Sequence, residues 1–267
     1  MIKLKKSLGQ NFLIDKNVLN KVVSLGSISN EHVLEIGPGS GNLTNEIINL
    51  NPKTLTLIEK DERLYSILKD KLNSHKKIII FNNDILKFDL EKNIKKNTTV
   101  FGNLPYNIST QILVKFIKFS KWPPKYDRLV LMFQKEVADK ILADFNTSNY
   151  GRLTVISNWR LKIVNHFDIS RNCFYPKPKV ESTVLIFEPI TNKKYNIENI
   201  ENLEKITQIF FSTKRKMVNK AMNKAFNFLK TIPKEIKINL KCRPSEIRTE
   251  EYFHLTEIYE KYKKELL

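Results

Sequence analysis

The sequence offers no metal site. Its two cysteines, Cys173 and Cys242, lie far apart and form no CxxC pair, and its four histidines are scattered. We read the thiols as buried or idle side chains in a reducing cytoplasm. No run of about 18 apolar residues is present, which excludes a membrane-spanning helix. The N-terminus, Met1-Ile2-Lys3-Leu4-Lys5-Lys6-Ser7, is basic. It has neither an apolar stretch nor a small-residue cleavage site, so it does not read as a signal peptide. Negative charge is also scarce: 28 Asp and Glu stand against 46 Lys and Arg, a net of +18. That excess points to a polyanionic partner. Only 8 of the basic residues are Arg, so an AT-rich, lysine-rich proteome accounts for part of it.

What the chain has is length, a core and alternation. Its 267 residues suffice for one large domain and a small one, and a hydrophobic fraction of 41% suits a globular protein. Short β-rich runs at 32–36, 54–58, 78–81, 98–101 and 129–133 alternate with amphipathic stretches such as 43–50, 62–72 and 110–119. Such alternation predicts a parallel sheet covered on both faces. Two later runs, 161–164 and 182–187, have no helical pattern between them and predict an antiparallel hairpin at the sheet edge. Residues 188–194 read as a linker, giving domains 1–190 and 191–267, the second wholly helical. Within 211–241 there are nine Lys or Arg against Glu235 alone, a local net of +8. Lys216, Lys220 and Lys224 share one helical stripe, and Val218, Met222, Ala225 and Leu229 share another. The cationic stripe suits phosphate contact or, more plainly, a solvated face.

Three features fall at successive strand ends. The first strand runs into Gly37-Pro38-Gly39-Ser40-Gly41, a turn that lets a ligand approach the backbone. A dinucleotide fingerprint needs glycine at position 42, which is Asn42, and a P-loop needs Gly-Lys-Ser/Thr, which is absent. The second strand ends in Glu59, placed to accept ribose hydroxyls. The third leads to Asp84, placed to accept from an adenine amino group. Parallel strands bring these ends to one rim. The spacing resembles the class I methyltransferase fold, Rossmann-like with a seven-stranded, mostly parallel sheet, whose ligand is S-adenosylmethionine.

The fourth strand ends in Asn103-Leu104-Pro105-Tyr106, which resembles the Asn/Asp-Pro-Pro-Tyr/Phe motif of amino-directed DNA and RNA methyltransferases. An adenine N6 is a poor nucleophile because its lone pair is delocalised into the ring. An Asn oxygen and a backbone carbonyl that accept its two N–H bonds free that lone pair. Pro105 stiffens the turn, and Tyr106 can stack on the base.

With the blocks Ser7-Leu8-Gly9-Gln10-Asn11-Phe12-Leu13, Glu35 to Gly41, Val100 to Thr110, Met132 to Val137, Tyr150 to Leu153 and Phe174 to Ser182, the chain resembles the bacterial ribosomal RNA small-subunit adenine dimethyltransferases. The likeness runs almost its whole length. It implies that Asn11 and Leu13 close over the cofactor, that Gly37 lies under its methionine moiety, and that Glu59, Asp84 and Asn103 bind it. It implies that Tyr106 and Phe174 sandwich the target base. It implies dimethylation of two adjacent adenines near the 3′ end of 16S rRNA in the immature small subunit, by a cytoplasmic monomer without metal. Phe211 to Lys216 matches the family's basic docking stretch, so Lys214, Arg215, Lys216, Lys220 and Lys224 are the expected RNA contacts. Lys214 stands where the family often has Arg, keeping charge but losing a forked phosphate contact. Plainer readings stand beside two of these: Asn11 as a helix cap, and Phe174 as a core residue. Two other functions share parts of the pattern. They are a macrolide-resistance 23S rRNA adenine methyltransferase, and an rRNA-binding assembly factor with secondary catalysis.

Overall fold

The computed structural model describes residues 10–192 and 194–266. Ser7, Leu8 and Gly9 of the N-terminal block, and Lys193 of the linker, lie outside the described residues. The chain divides into two compact units, Met1–Ala138 with Lys162–Pro189, and Asp139–Leu161 with Ile190–Leu267.

The first unit is a layered α/β body. In chain order come β1 (Phe12–Leu13), α1 (Lys16–Ser24), β2 (His32–Ile36), α2 (Asn42–Asn49), β3 (Thr54–Glu59), α3 (Glu62–Leu72) and β4 (Ile78–Asn82). They are followed by α4 (Leu90–Asn93), β5 (Thr98–Asn103), α5 (Ser109–Ile117), β6 (Tyr126–Gln134) and α6 (Lys135–Leu142), which runs into the second unit. After α7 (Arg152–Arg160), the chain adds β7 (Leu161–Ile169), β8 (Phe174–Tyr175) and β9 (Ser182–Pro189). Seven strands form one sheet in the order β4-β3-β2-β5-β6-β9-β7. The neighbours from β4 to β6 are parallel, and β9 runs antiparallel to β6. The two late apolar runs are indeed neighbours at one sheet edge. β1 and β8 pair separately as a short antiparallel ribbon.

The sequence explains these elements locally. A strand buried on both faces has no need to alternate, and β5 is buried at every residue but its last. In α3, Leu64, Leu68 and Leu72 recur every four residues and are all buried. The Asp61 carboxylate caps that helix by accepting from Arg63 N, and Lys69 and Lys71 sit in its last turn. α1 is capped by Asp15, which accepts from Val18 N at 2.9 Å. Asn11 therefore does not cap this helix; it lies four residues upstream of the true cap.

The second unit is mostly helical, with α7, α8 (Ile200–Phe211), α9 (Asn219–Ala225) and α10 (Thr249–Lys264). Its core includes Val155, Leu203, Ile206, Phe210, Val218, Met222 and Tyr252. It begins again at Ile190, beside the boundary expected at 190, but it also takes in Asp139–Leu161. Tyr150 shows why: its ring is 1% exposed in this core, and its hydroxyl donates to Ile247 O at 3.0 Å.

The wholly helical reading of 211–241 needs correction. α8 ends at Phe211, α9 has only 7 residues, and turns and irregular chain follow. The Ser212 hydroxyl donates back to Ile209 O at the end of α8, and Pro233 has no N–H to continue a helix. Val218, Met222 and Ala225 are buried as their spacing predicts. Lys220 and Lys224 lie on α9 and are exposed, but Lys216 precedes the helix and Leu229 follows it. Among the described residues, no helix is long and apolar enough to cross a membrane.

Candidate active site

The strand order reverses between β2 and β5, where β3 leaves to one side and β6 to the other. Crevices of open α/β sheets form at such a point, beyond the carboxyl ends of the strands. A cleft with about 970 Å³ of empty space, part of it open to solvent, lies there. Its walls include Gln10, Asn11, Phe12, Gly37, Gly39, Glu59, Lys60, Asp84, Asn103, Pro105 and Tyr106. The structure thus gathers residues 92 positions apart, Asn11 and Asn103, into one wall.

The glycine loop forms the floor. Gly37 has φ of +67°, which strains an ordinary side chain even though space is open around it. Gly39 has φ of +59°, and a Cβ there would come within 2.6 Å of the Phe12 ring. Glu59, 6% exposed, ties this loop to the end of β3. Its Oε2 accepts from Gly39 N at 3.0 Å and its Oε1 from Asp61 N at 2.8 Å. Burial pushes its carboxyl above the ordinary value, and those N–H donors pull it back. Asp84 accepts from Leu86 N at 2.9 Å and from Lys60 Nζ at 2.8 Å. The Lys60 ammonium holds its carboxyl below the ordinary value.

Beneath the floor is a carboxyl that the sequence reading passed over. Glu35 is 2% exposed and accepts from the Thr44 hydroxyl at 2.7 Å. Burial pushes it up to about 8, the Thr44 hydrogen bond opposes this, and the Glu59 charge adds to it. Its place as the acid before the glycine loop was visible; its burial was not.

Residues 10–13 form a strap beside the cleft, and side chains elsewhere in the first unit hydrogen-bond to it. Gln10 Nε2 donates to Asp61 Oδ2 at 3.1 Å. Asn103 Nδ2 donates to Asn11 O at 2.8 Å. Asn42 Nδ2 donates to Leu13 O at 2.8 Å. Asn42, the residue that breaks the dinucleotide fingerprint, therefore holds the strap to the first turn of α2. Leu13 itself is 4% exposed, belongs to the apolar core and does not line the cleft.

Asn103-Leu104-Pro105-Tyr106 is a turn fixed on both sides. Asn103 ends β5 in register with Met132 of β6. The Leu104 side chain is buried at 2% exposure, so what this residue can present to a ligand is backbone. Ile108 N donates to Pro105 O, and the Ser109 hydroxyl to Tyr106 O, leading into α5. Because Asn11 O takes the Asn103 amide N–H, the side-chain amide is oriented. Among the described residues its Oδ1 accepts nothing. Tyr106 is half-buried on the cleft wall, and burial raises its phenol, which Ser182 partly offsets.

Phe174 is placed differently from the expectation. Its ring is 3% exposed in the apolar core, with its backbone opposite Leu13, and it does not line the cleft. The ring exposed on β8 is that of Tyr175. In the second unit, Arg215, Lys216, Lys220 and Lys224 are exposed, while Lys214 is half-buried and donates to Ser148 O at 2.6 Å.

The acceptor set suits a ligand with vicinal hydroxyls and an amino group. No lysine sits in the glycine loop to meet a phosphate, and among the described residues the one lysine on the wall is paired with Asp84. Comparisons agree with this geometry. The Ribosomal RNA adenine dimethylase family model matches residues 1–261. The Ribosomal RNA small subunit methyltransferase A of Pelagibacter ubique is 49% identical over 259 residues, covering 97% of this chain and 98% of the relative. The crystal structure of a dimethyladenosine transferase from Plasmodium falciparum superposes with a TM-score of 0.74 at 25% identity, over 95% of this chain and 98% of that one. The 23S rRNA methyltransferase ErmE has a TM-score of 0.66 at 22% identity, over 93% of this chain and 99% of that one, a likeness of fold. The fold is that of the class I methyltransferases, a group that generally uses S-adenosylmethionine. A family model that spans nearly every residue, and a close relative matched end to end, give the strap, the glycine loop and the Asn-Leu-Pro-Tyr turn one origin: the chain belongs to the ribosomal RNA adenine dimethylase family.

Proposed function

We propose that this protein transfers methyl groups from S-adenosylmethionine to N6 of two adjacent adenines in the 3′-terminal hairpin loop of 16S rRNA. The substrate is the immature small subunit, and the protein acts as a cytoplasmic monomer. The observation that carries the reading is the oriented Asn103 amide, its Nδ2 held by Asn11 O and its Oδ1 left as an acceptor on the cleft wall. The Pelagibacter relative's name carries the small-subunit assignment.

Glu59 accepts the ribose hydroxyls, Asp84 the adenine amino group, and the Gly37 backbone lies under the methionine moiety. Bound S-adenosylmethionine supplies an electrophilic methyl group on a sulfonium. The chain's task is to present N6 to it. Asn103 Oδ1 and the Leu104 carbonyl accept the N6–H bonds, which frees the lone pair for in-line attack. The proton leaves from the cationic product, so no residue need act as a base beforehand. Catalysis then rests on positioning and on acceptors preset where charge changes. Tyr106 stacks on the base; Phe174 can supply the second face only if the β1–β8 ribbon rearranges. Lys214, Arg215, Lys216, Lys220 and Lys224 contact rRNA phosphates.

Asn103→Ala tests this directly. It should cut turnover by about 10²–10³, as loss of one preset polar contact does, while binding to small subunits stays within about twofold. Retained turnover would remove the N6-positioning mechanism.

A further inference from the structure

Two sequence motifs meet at a bond that neither reveals alone. Tyr106 Oη and Ser182 Oγ lie 2.7 Å apart, a hydroxyl–hydroxyl hydrogen bond across 76 residues. Ser182 is 0% exposed, and among the described residues Tyr106 is the only partner of its hydroxyl. We infer that Ser182 is a positioning residue for methyl transfer. It holds the tip of the Tyr106 ring, and so keeps the ring at the cleft wall where the target adenine stacks. The inference rests on the proposed stacking role of Tyr106.

The topology explains why a residue so distant does this. Parallel strands β2 to β6 bring only their last residues to the catalytic rim. A strand of opposite direction brings its first. Ser182 opens β9, antiparallel to β6, in register with Gln134, the last residue of β6 and two beyond the Met132 that pairs with Asn103. The reversed strand thus reaches just past the level of Asn103, where the chain has turned into Pro105 and Tyr106. The ring is then held at two points: the backbone by the Ser109 hydroxyl on Tyr106 O, and the phenol tip by Ser182. With the backbone held at one end and the phenol tip at the other, the ring cannot leave the cleft wall by a change of χ1 without breaking the Ser182 bond, so the base meets a platform already in place.

Stability alone gives little reason for this pair. A buried hydroxyl costs free energy unless it is paired, and replacing both partners by apolar groups is often close to neutral. A positioning bond instead predicts coupled losses in turnover.

The test is a double-mutant cycle of Ser182→Ala and Tyr106→Phe, with Tyr106→Ala beside it. It is assayed on unmethylated small subunits, with melting temperature and S-adenosylmethionine affinity measured for each variant. Each single change should lower kcat about 3–10-fold, the scale of one neutral hydrogen bond. Cofactor affinity should not change, and the double variant should be no slower than the singles. Losses that multiply, or full activity of either single variant, overturn the inference. Should Ser182→Ala fail to fold, full activity of Tyr106→Phe still overturns it, and a loss there with unchanged melting and cofactor affinity supports it. Tyr106→Ala separates this from the stacking role. If Tyr106→Ala is inactive while Tyr106→Phe and Ser182→Ala are fully active, only the positioning fails. If Tyr106→Ala turns over like the parent, the stacking reading fails, and the inference with it.

Discussion

At the scale of the residue, the site is a set of polar atoms oriented by their neighbours. Glu59 holds the glycine loop through Gly39 N, and Asn11 O holds the Asn103 amide. Glu35, sealed below the loop, is the least expected of these groups. Burial raises its carboxyl from about 4.5 to about 8, so folding favours its protonated form. A carboxyl raised in the folded state adds stability that is fully present below its unfolded value and is lost as pH rises through the folded one. The Glu35→Gln variant, neutral at every pH, should therefore gain in melting temperature relative to the parent between pH 5 and 8. A difference that does not change with pH would mean that Glu35 is ionised in the fold. That Glu59, Asp84 and Asn103 share one cleft was legible because parallel strands bring their carboxyl ends to one rim. Phe174 was not, because an aromatic in a motif looks the same whether it meets a base or, as here, a core closed by the β1–β8 pairing.

At the scale of the element, the β-runs at 32–36, 54–58 and 78–81 became strands to within a residue, since strands buried on both faces write themselves as unbroken apolar runs. The strap did not show itself as structure. Its hold comes from single side chains on distant elements, Asp61 ahead of α3 and Asn42 at the start of α2. Asn42 was noticed only as a missing glycine. If the strap helps close the cofactor cleft, Asn42→Ala should weaken S-adenosylmethionine affinity about 2–10-fold, the worth of one neutral hydrogen bond, with melting nearly unchanged. Calorimetry showing parental affinity would detach the strap from the cofactor. The wholly helical pattern expected beyond the linker failed in 211–241 for a related reason. Periodicity marked the buried face of Val218, Met222 and Ala225, but it does not say where a helix stops, and α9 stops at Ala225.

At the scale of the whole molecule, the chain forms two compact units, and one change between them falls at Pro189–Ile190, within the stretch 188–194 read as a linker. The return of Asp139–Leu161 to the helical unit was not legible, because no change in composition marks it; only the burial of Tyr150 and Val155 does. The helical unit carries +8 of the net charge of +18, and Lys216, Lys220 and Lys224 are exposed on it. Changing Lys216, Lys220 and Lys224 to Gln should flatten the salt dependence of RNA binding by about 0.7–0.9 per lost phosphate contact. An unchanged slope would make them a solvated face. The central claim is one of substrate. Labelled S-adenosylmethionine, presented with unmethylated small and large ribosomal subunits and followed by mass spectrometry of the digested RNA, tests it most directly. Dimethyladenine confined to the small subunit is the predicted result. Label in the large subunit, or in neither, would contradict it.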